Sequence, residues 1–511
     1  MKKLLFLFAA GIISVHGFGQ EPGDLDETFG NNGIVITDLV NDAQQIAFSI
    51  KQLQNQKILV GASVQTSTAN NFALARYEQN GTLDNSFGTN GAVLPNFEMA
   101  LSDMIILPNG AILACGFYWD SITDQDFGLV KFSAEGILDT SFGNNGLVTT
   151  EFMGNLSEHP SSIMIQNDGK ILVFGSTALD AGSNGDFALA RYNQDGSLDT
   201  SLDGDGKLTV DFGSNDVGVN MLLFADGRIL LGGRAFNTAI SKNEFVMTLL
   251  DSNGLVDTSF GNNGVVMDHF VASDSFLGGL AMQNDGKIIT AGRINPQGQC
   301  SFVVARYNSD GSLDTANFGT QGFVVTEIST GSNCSLSELA IMRDGKIVTA
   351  GIDYNGNDFD SVMAMYNSNG TLDTDFGTAG KVITDYGNNE NEVLGDIAIQ
   401  QDDKILLAGT TRVDGDFSIG LARYHSALSL GINDKELSNV RLYPNPTTDL
   451  LFIDSEFDVI EQLTIYDNTG RQVLNMAPEG NSIDVSFLPQ GLYFLKITVD
   501  DANSIQKFIK N

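Results

Sequence analysis

The chain is a succession of short apolar runs separated by polar turns, and the same runs return at regular intervals. One run follows an Asp-Gly turn, as in K-I-L-V-F-G after Asp168-Gly169. Another has the form F-A-L-A-R-Y, at Phe72 and again at Phe187. Runs of this length that are rich in Ile, Val, Leu and Phe predict β-strands, and Asp-Gly between two such runs predicts a hairpin.

A polar phrase recurs between these runs. L-D-T-S-F-G-N-N-G at 138–146 returns as V-D-T-S-F-G-N-N-G at 256–264 and as L-D-E-T-F-G-N-N-G at 25–33. Its opening residue is followed by Asp at seven positions, separated by 58, 55, 60, 58, 57 and 59 residues: Leu25, Leu83, Leu138, Leu198, Val256, Leu313 and Leu372. A near-constant interval of this kind indicates one structural unit that is copied along the chain.

Each unit contains four predicted strands: one after the phrase, one before the Asp-Gly turn, one after that turn, and the F-A-L-A-R-Y run. Four short strands in each of seven units predict an all-β fold, a seven-bladed β-propeller over residues 24–427. An open β-solenoid is the alternative, but its coils are usually shorter and rarely contain an Asp-Gly hairpin.

We predict that the phrase carries the chain from the outer edge of one blade to the central channel of the next. Its aromatic residue is expected to fill the seam between blades, its glycines to take positive φ, and its Asp to hold a turn. That Asp is also expected to pair with the basic residue of the F-A-L-A-R-Y run, except where Thr248 or Met365 replaces the base. The seam residues are Phe29, Phe87, Phe142, Leu202, Phe260, Phe318 and Phe376. The acids of the phrase are Asp26, Asp84, Asp139, Asp199, Asp257, Asp314 and Asp373. The bases expected to pair with them are Arg76, Lys131, Arg191, Arg306 and Arg423.

The combination of D-G-K-I-L, F-A-L-A-R-Y-N and L-D-x-S-F-G-x-x-G resembles the delta-60 repeat, a bacterial propeller-type repeat, from residue 24 to about 427. The resemblance implies the propeller fold. It implies no activity, because that family brings no established one.

After Tyr424 the repeat stops, and residues 428–438 are predicted to be a linker. Residues 439–511 contain alternating strands separated by turns, which predicts a small β-sandwich. This segment resembles the type A C-terminal sorting domain of the type IX (Por) secretion system. The matching residues are Tyr443, Pro444, Asn445, Pro446, Gly470, Gly491, Tyr493, Lys507 and Lys510. The resemblance implies that the type IX machinery is a partner, with delivery through the outer membrane of a Gram-negative bacterium to the cell surface or the medium.

The amino terminus supports export. Two lysines precede an apolar run that is too short to span a bilayer, so residues 1–19 are predicted to be a signal peptide, and no transmembrane segment is expected elsewhere. The net charge of −36 disfavours nucleic acid as a partner, because long-range repulsion opposes binding to phosphate.

The search for chemistry finds no catalytic set and no cofactor motif. The three histidines outside the signal peptide are scattered, and recurring tryptophans of the kind used by sialidases and quinoproteins are missing, since Trp119 is the single tryptophan. One metal hypothesis remains: Asp199, Asp203 and Asp205 lie within one variant phrase, and such acids bind calcium. The alternative is a solvated turn, because the bidentate acid that completes a calcium loop is not found.

The strand order predicts that phrases and Asp-Gly turns share one face, and that the loops of the other face differ in every blade. We expect a ligand site among the variable loops, where Tyr118, Trp119 and Asp120 suit stacking on and hydrogen bonding to a sugar. Cys300 and Cys334 fall in loops on this face in neighbouring units, which is compatible with a disulfide, whereas Cys115 is expected to be a core residue.

These observations favour an exported, non-enzymatic binding or adhesion module for a glycan or protein. The alternative is a secreted polysaccharide hydrolase or lyase on the same scaffold. A purely structural role on the envelope is the third hypothesis.

Overall fold

The computed structural model describes residues 20–121, 124–152, 157–177, 184–213, 215–328, 333–386, 390–413, 415–426, 441–454, 462–467, 472–476, 480, 482–499 and 502–511. The predicted signal peptide, the predicted linker and Gly470 lie outside these ranges. Within them the fold is all-β apart from one 3-10 turn, Pro296–Gly298, and no helix has the length and apolarity needed to cross a membrane. Two compact units are present, one of residues 21–428 and one that contains residues 429–511.

Residues 21–428 form seven four-stranded antiparallel sheets, the blades of a β-propeller. The first strand of the chain, β1 (Ile34–Thr37), belongs to the seventh blade. The others follow in chain order: blade 1 is β2 (Gln44–Gln52), β3 (Ile58–Gln65), β4 (Asn70–Tyr77) and β5 (Ala92–Val93); blade 2 is β6 (Met99–Ile106), β7 (Ile112–Ser121), β8 (Asp124–Phe132) and β9 (Leu147–Thr150); blade 3 is β10 (His159–Ile165), β11 (Ile171–Ser176), β12 (Phe187–Tyr192) and β13 (Lys207–Val210); blade 4 is β14 (Asp216–Leu223), β15 (Ile229–Asn237), β16 (Lys242–Leu250) and β17 (Val265–Asp268); blade 5 is β18 (Ser275–Met282), β19 (Ile288–Ile294), β20 (Ser301–Tyr307) and β21 (Phe323–Glu327); blade 6 is β22 (Cys334–Ile341), β23 (Ile347–Tyr354), β24 (Phe359–Tyr366) and β25 (Lys381–Thr384); blade 7 is β26 (Val393–Ile399), β27 (Ile405–Val413) and β28 (Asp416–Tyr424), with β1.

The position of the phrase within a blade differs from the prediction. The strand that follows each phrase pairs with the F-A-L-A-R-Y strand of the same blade, as in the register Leu189 to Leu208. The phrase therefore connects the third strand to the outermost strand and is not the blade-to-blade crossover. The crossovers are the variable segments that lead to the next innermost strand, such as residues 269–274.

The ring is closed by the amino-terminal strand. β1 pairs with β28, with Ile34 opposite Ala422, and so supplies the outermost strand of blade 7. Each sequence repeat is consequently offset by one strand from the blade that it helps to build.

Antiparallel pairing places the loops as predicted. The Asp-Gly hairpin follows the innermost strand and the phrase follows the third strand, so both types of loop lie on one face, which we call the repeat face. The loops after the second and the outermost strands lie on the opposite face, which we call the variable face.

The core lies in the seams between blades. Phe87, for example, is fully buried among residues of blades 1 and 2, including Leu59 and Leu101. All seven phrase residues assigned to seams are buried, Leu202 included, so that prediction is confirmed. The phrase glycines also take positive φ, as at Gly143 (55°), where an added Cβ would lie 2.6 Å from the carbonyl oxygen of Leu147.

The carboxy-terminal unit contains two small sheets that share one core. One sheet has the order β29 (Arg441–Tyr443), β30 (Leu450–Asp454) and β33 (Ser482–Asp484), and the other has the order β32 (Gln472–Met476), β31 (Gln462–Asp467), β34 (Gly491–Val499) and β35 (Ala502–Lys510). Leu451 and Ile483 of the first sheet pack with Ile465, Leu495 and Phe508 of the second. This is the predicted β-sandwich.

Candidate functional site

The repeat face is held together by ion pairs of the phrase acids. Asp314 lies 2.8 Å from both Arg306 and Lys287, and all five predicted pairs with a base of the third strand are present. In the two units without that base, the Asp is still paired, because Arg228 lies 3.5 Å from Asp257 and Lys346 lies 2.8 Å from Asp373. In these units the partner is the basic residue that follows the Asp-Gly turn, a pairing that the sequence analysis did not predict.

These contacts explain the protonation behaviour of the phrase acids. Burial works to raise the pKa of Asp84, but hydrogen bonds from Lys57, Ser86 and Arg76 outweigh it and hold that pKa well below its usual range. The backbone N–H of Ser86 donates to the same carboxylate at 3.1 Å, which is the predicted turn-holding bond. The phrase acids are thus structural groups, already satisfied by the protein.

The three acids predicted to bind calcium lie on the repeat face. Asp199 is buried and accepts hydrogen bonds from Arg191 at 2.7 Å and from Lys170. Asp203 and Asp205 are exposed, and Asp205 accepts the backbone N–H of Lys207 at 2.9 Å. Calcium binding by these three acids stays a prediction, with Asp199 already facing two cations.

The central channel holds charged groups that the sequence analysis missed. Each innermost strand has a β-bulge, and the residue after the bulge is Ser49, Asp103, Ser162, Asn220, Gly279, Glu338 or Asp396. Lys51 lies 2.9 Å from Asp396 and 3.5 Å from Asp103 at the wall of a cavity of about 900 Å³. Burial raises the pKa of Glu338 well above its usual value, and burial also raises that of Asp103. The available signal was an acid inside an apolar strand, as in L-S-D-M and L-S-E-L.

The variable face contains a cavity beside Trp119. Its volume is about 430 Å³, and Trp119 and Glu98 line it together with residues 65–70. Trp119 is half-buried and donates its backbone N–H to the carbonyl of Glu98 at 2.9 Å. Tyr118 instead packs against the seam of blades 1 and 2, and the side chain of Asp120 lies outside the described set. Trp119 is therefore placed at the cavity, and Tyr118 is not.

A second cavity on this face is lined by basic side chains, an aromatic ring and one acid, Asp274. It measures about 640 Å³ and is lined by Lys242, Phe276, Arg293 and residues 271–274 of the crossover. The guanidinium carbons of Arg293 and Arg234 lie 4.2 and 5.3 Å from the centre of the Phe276 ring. Neither arginine has an acid within ion-pair distance among the described residues, although Asp274, which lines the same cavity and lies 3.5 Å from Lys242, acts on Arg293 by its charge. Burial, together with repulsion from Arg293, lowers the pKa of Arg234.

The sorting-domain residues have structural partners in the carboxy-terminal unit. The side chain of Asn445 donates to the carbonyl of Lys507 and accepts the N–H of Ile509, both at 2.9 Å, and so fastens the Pro-Asn-Pro segment to β35. The ring of Tyr493 stacks on Phe508 with centres 5.6 Å apart. Lys507 is exposed, whereas Lys510 is buried.

Two family profiles match the chain. A domain of unknown function (DUF5122) β-propeller profile matches residues 54–87, 166–202, 225–260, 283–316, 343–376 and 400–430. The secretion system C-terminal sorting domain (Por secretion tail) profile matches residues 441–511. No curated protein matches the chain.

Similar folds occur among solved structures. PorZ, a surface component of the type IX secretion system of Porphyromonas gingivalis, is 11% identical over 89% of this chain and 69% of its own, with a TM-score of 0.32. A protein of unknown function from Dyadobacter fermentans is 13% identical over 77% of this chain and 98% of its own, with a TM-score of 0.42. The polysaccharide lyase Uly1 is 10% identical over 74% of this chain and 89% of its own, with a TM-score of 0.42. These similarities carry no functional argument.

Proposed function

Because residues 54–430 belong to the DUF5122 β-propeller repeat family and residues 441–511 are a secretion system C-terminal sorting domain, we propose that the chain is an exported binding module for anionic glycans. The sorting domain indicates export by the type IX system. Entry into the periplasm by the signal peptide, passage through a Gram-negative outer membrane and action at the cell surface or in the medium are parts of the proposal.

The observation that carries the proposal is the pair of arginines at Phe276. The chain has a net charge of −36, yet Arg234 and Arg293 lie over one aromatic ring without an ion pair to a described acid. Two half-buried guanidinium groups repel each other, and an incoming carboxylate or sulfate relieves that repulsion while accepting bidentate hydrogen bonds. The exposed part of Phe276 offers an apolar surface to a sugar ring.

The cavity beside Trp119 provides a second contact area of a different character. Hydroxyl and amide groups at Thr66, Thr68 and Asn70 face the space that Trp119 also lines. Such groups complement the hydroxyls of a neutral sugar. By contrast, the phrase acids of the repeat face are engaged in internal ion pairs. We therefore place the binding surface on the variable face.

The test is binding of the purified protein to an array of polysaccharides that contains uronic acid, sulfated and neutral members. We expect the anionic members to bind and Arg293→Gln to weaken that binding at least tenfold. Arg412→Gln is the matched control, since Arg412 is likewise half-buried and lies 5.7 Å from the Phe417 ring near the end of β27. Trp119→Ala is expected to affect neutral sugars only. Absence of anionic binding, or equal binding by Arg293→Gln, would overturn the proposal.

One observation favours an enzyme as the second candidate. Asp103 and Asp396 both lie within ion-pair distance of Lys51 in the channel. Burial raises the pKa of Asp103 and of Glu338, which line the same cavity, and carboxylates with shifted pKa values in one cavity are typical of hydrolases and lyases. The backbone N–H of Ile50 already donates to Asp396 at 2.8 Å, which is a structural use of that group. Each glycan that binds should therefore be checked for cleavage. Cleavage that is lost in Asp103→Asn would establish this candidate instead.

A further inference from the structure

Each blade junction has a corner on the variable face where three chain segments meet. They are the start of the third strand, the residue just after the outermost strand, and the start of the next innermost strand. The corner between blades 3 and 4 is formed by Asp186, Asp211 and Asp216. The corner between blades 6 and 7 has the same topology and is formed by Asp360, Asp385 and Glu392.

At three other corners, a direct contact or bond between two side chains joins two of the segments. Between blades 7 and 1, the side chain of Gln45 donates to Asp38 at 2.6 Å. Between blades 4 and 5, His269 Nδ1 lies 2.9 Å from Glu244 Oε1. Between blades 5 and 6, Cys300 and Cys334 form a disulfide with their Cα atoms 5.7 Å apart. A direct link at this corner is thus a recurring feature of the ring.

The two acidic corners bring like charges together instead. In each, one oxygen from every carboxylate lies within 4.8 Å of the others. Neither Asp216 nor Glu392 has a Lys or Arg within ion-pair distance among the residues that the structure describes. Carboxylates gathered this closely repel one another when they are ionised, and this repulsion opposes the packing of the corner.

Two buried oxygen atoms point to a ligand. Asp216 is 0% exposed and Glu392 is 1% exposed. One oxygen of Asp216 accepts the backbone N–H of Phe212 at 2.7 Å, and one of Glu392 accepts the hydroxyl of Thr411 at 3.2 Å. The remaining atoms, Asp216 Oδ1 and Glu392 Oε2, have no hydrogen-bond donor in the described structure. A buried carboxylate oxygen that lacks a partner is costly unless a proton or a cation is bound.

We propose that each acidic corner binds one divalent cation of the calcium type. Calcium takes hard oxygen ligands in flexible arrangements, whereas magnesium demands compact octahedral geometry and keeps its waters. The cation would join all three segments of its corner, whereas the disulfide of Cys300 and Cys334 joins two of them at its own. Burial raises the pKa of Asp216 to about 7 and that of Glu392 to about 8, as expected for uncompensated carboxylates. The proposal stands apart from the proposed glycan site.

The experiment is calcium titration of the purified full chain, after treatment with chelator, by calorimetry and by thermal unfolding. We expect two calcium ions per chain and a higher unfolding midpoint with calcium. Asp216→Asn and Glu392→Gln should each bind one ion, and the double variant should bind none. Both substitutions are nearly isosteric and remove buried charge, so the chelated variants should unfold no earlier than the chelated parent.

Asp285→Asn is the matched control, because Asp285 is an exposed acid of an Asp-Gly turn on the repeat face and belongs to neither acidic corner. It should keep both ions and the full rise in midpoint. No calcium binding by the parent, two ions retained by the double variant, or an equal effect of magnesium at the same concentration would each overturn the proposal.

Discussion

Asp26 accepts a hydrogen bond from Nε of Arg423 at 2.7 Å, although the two residues lie 397 positions apart in the chain. Lys404 lies 3.0 Å from the same carboxylate, and the side chain of Asp26 is 1% exposed. The contact accompanies the pairing of β1 with β28, so the same type of ion pair that organises each blade also closes the ring.

Asp26→Asn should therefore destabilise the propeller. Removing one partner of a buried, hydrogen-bonded ion pair leaves charge without compensation, and we expect a loss of about 3 kcal/mol in the free energy of unfolding. Asp139→Asn is the control, because its pair with Lys131 at 3.0 Å is more exposed, and it should cost less than about 1 kcal/mol. Urea unfolding followed by circular dichroism measures both. Equal costs for the two variants would contradict the role of Asp26 in closure.

The phrase acids also predict how stability depends on pH. Burial opposes ionisation of Asp199, yet hydrogen bonds from Lys170 and Ser201 and the charge of Arg191 hold its pKa below the usual range, and Asp84 behaves alike. An acid whose pKa is lower in the folded state stabilises the fold above its unfolded pKa of about 4, and this contribution disappears as the pH falls through the folded pKa. The phrase acids should therefore leave the urea midpoint unchanged between pH 7 and 5 and lower it steeply below about 4. Asp216 and Glu392, whose pKa burial raises, should by contrast raise the midpoint as the pH falls from 7 to 5. A steady decline that begins near pH 7 would show that other groups dominate.

The packing of the phrase aromatic in its seam can be tested by substitution, because one unit naturally has leucine at this position. Phe142 is buried in the seam of blades 2 and 3, and the equivalent position of the next unit is Leu202, which is also fully buried. Phe142→Ala should cost about 3–5 kcal/mol by lost burial and a residual cavity. Phe142→Leu should cost less than about 2 kcal/mol, because the seam of Leu202 shows that leucine fills this position. Comparable losses in the two variants would mean that the aromatic ring itself is required.

Hydrophobic periodicity was sufficient to predict the strands, their number in each unit and the closed ring, because each apolar run is bounded by a strong turn signal. It did not reveal which neighbour a strand pairs with. Leu208 follows the phrase and pairs with Leu189 in the preceding strand, whereas the pattern is equally compatible with pairing in the next blade. The offset of blade and repeat follows from that register, which is a long-range property.

The candidate sites were harder to predict from the sequence, because they too depend on long-range contacts. Arg234 and Phe276 come from neighbouring blades and meet only after the seam forms. Asp186, Asp211 and Asp216 are spread over three separate segments and form no sequence motif, and only the fold brings their oxygens together. Trp119 was found because a lone tryptophan in a variable loop is visible in any sequence.

The last prediction concerns the disulfide of Cys300 and Cys334, which joins the start of β20 to the start of β22 across a seam. The bond closes a loop with a sequence separation of 34, and loss of such a cross-link costs about 3–4 kcal/mol in the chain-entropy account. Cys300→Ser together with Cys334→Ser should lower the urea midpoint, and reductant should do the same to the parent. Cys115→Ala is the control, since Cys115 is a buried free thiol whose removal should leave the response to reductant intact. Peptide mapping of the exported protein without reduction should show the Cys300–Cys334 pair, and two free thiols there would exclude the bond.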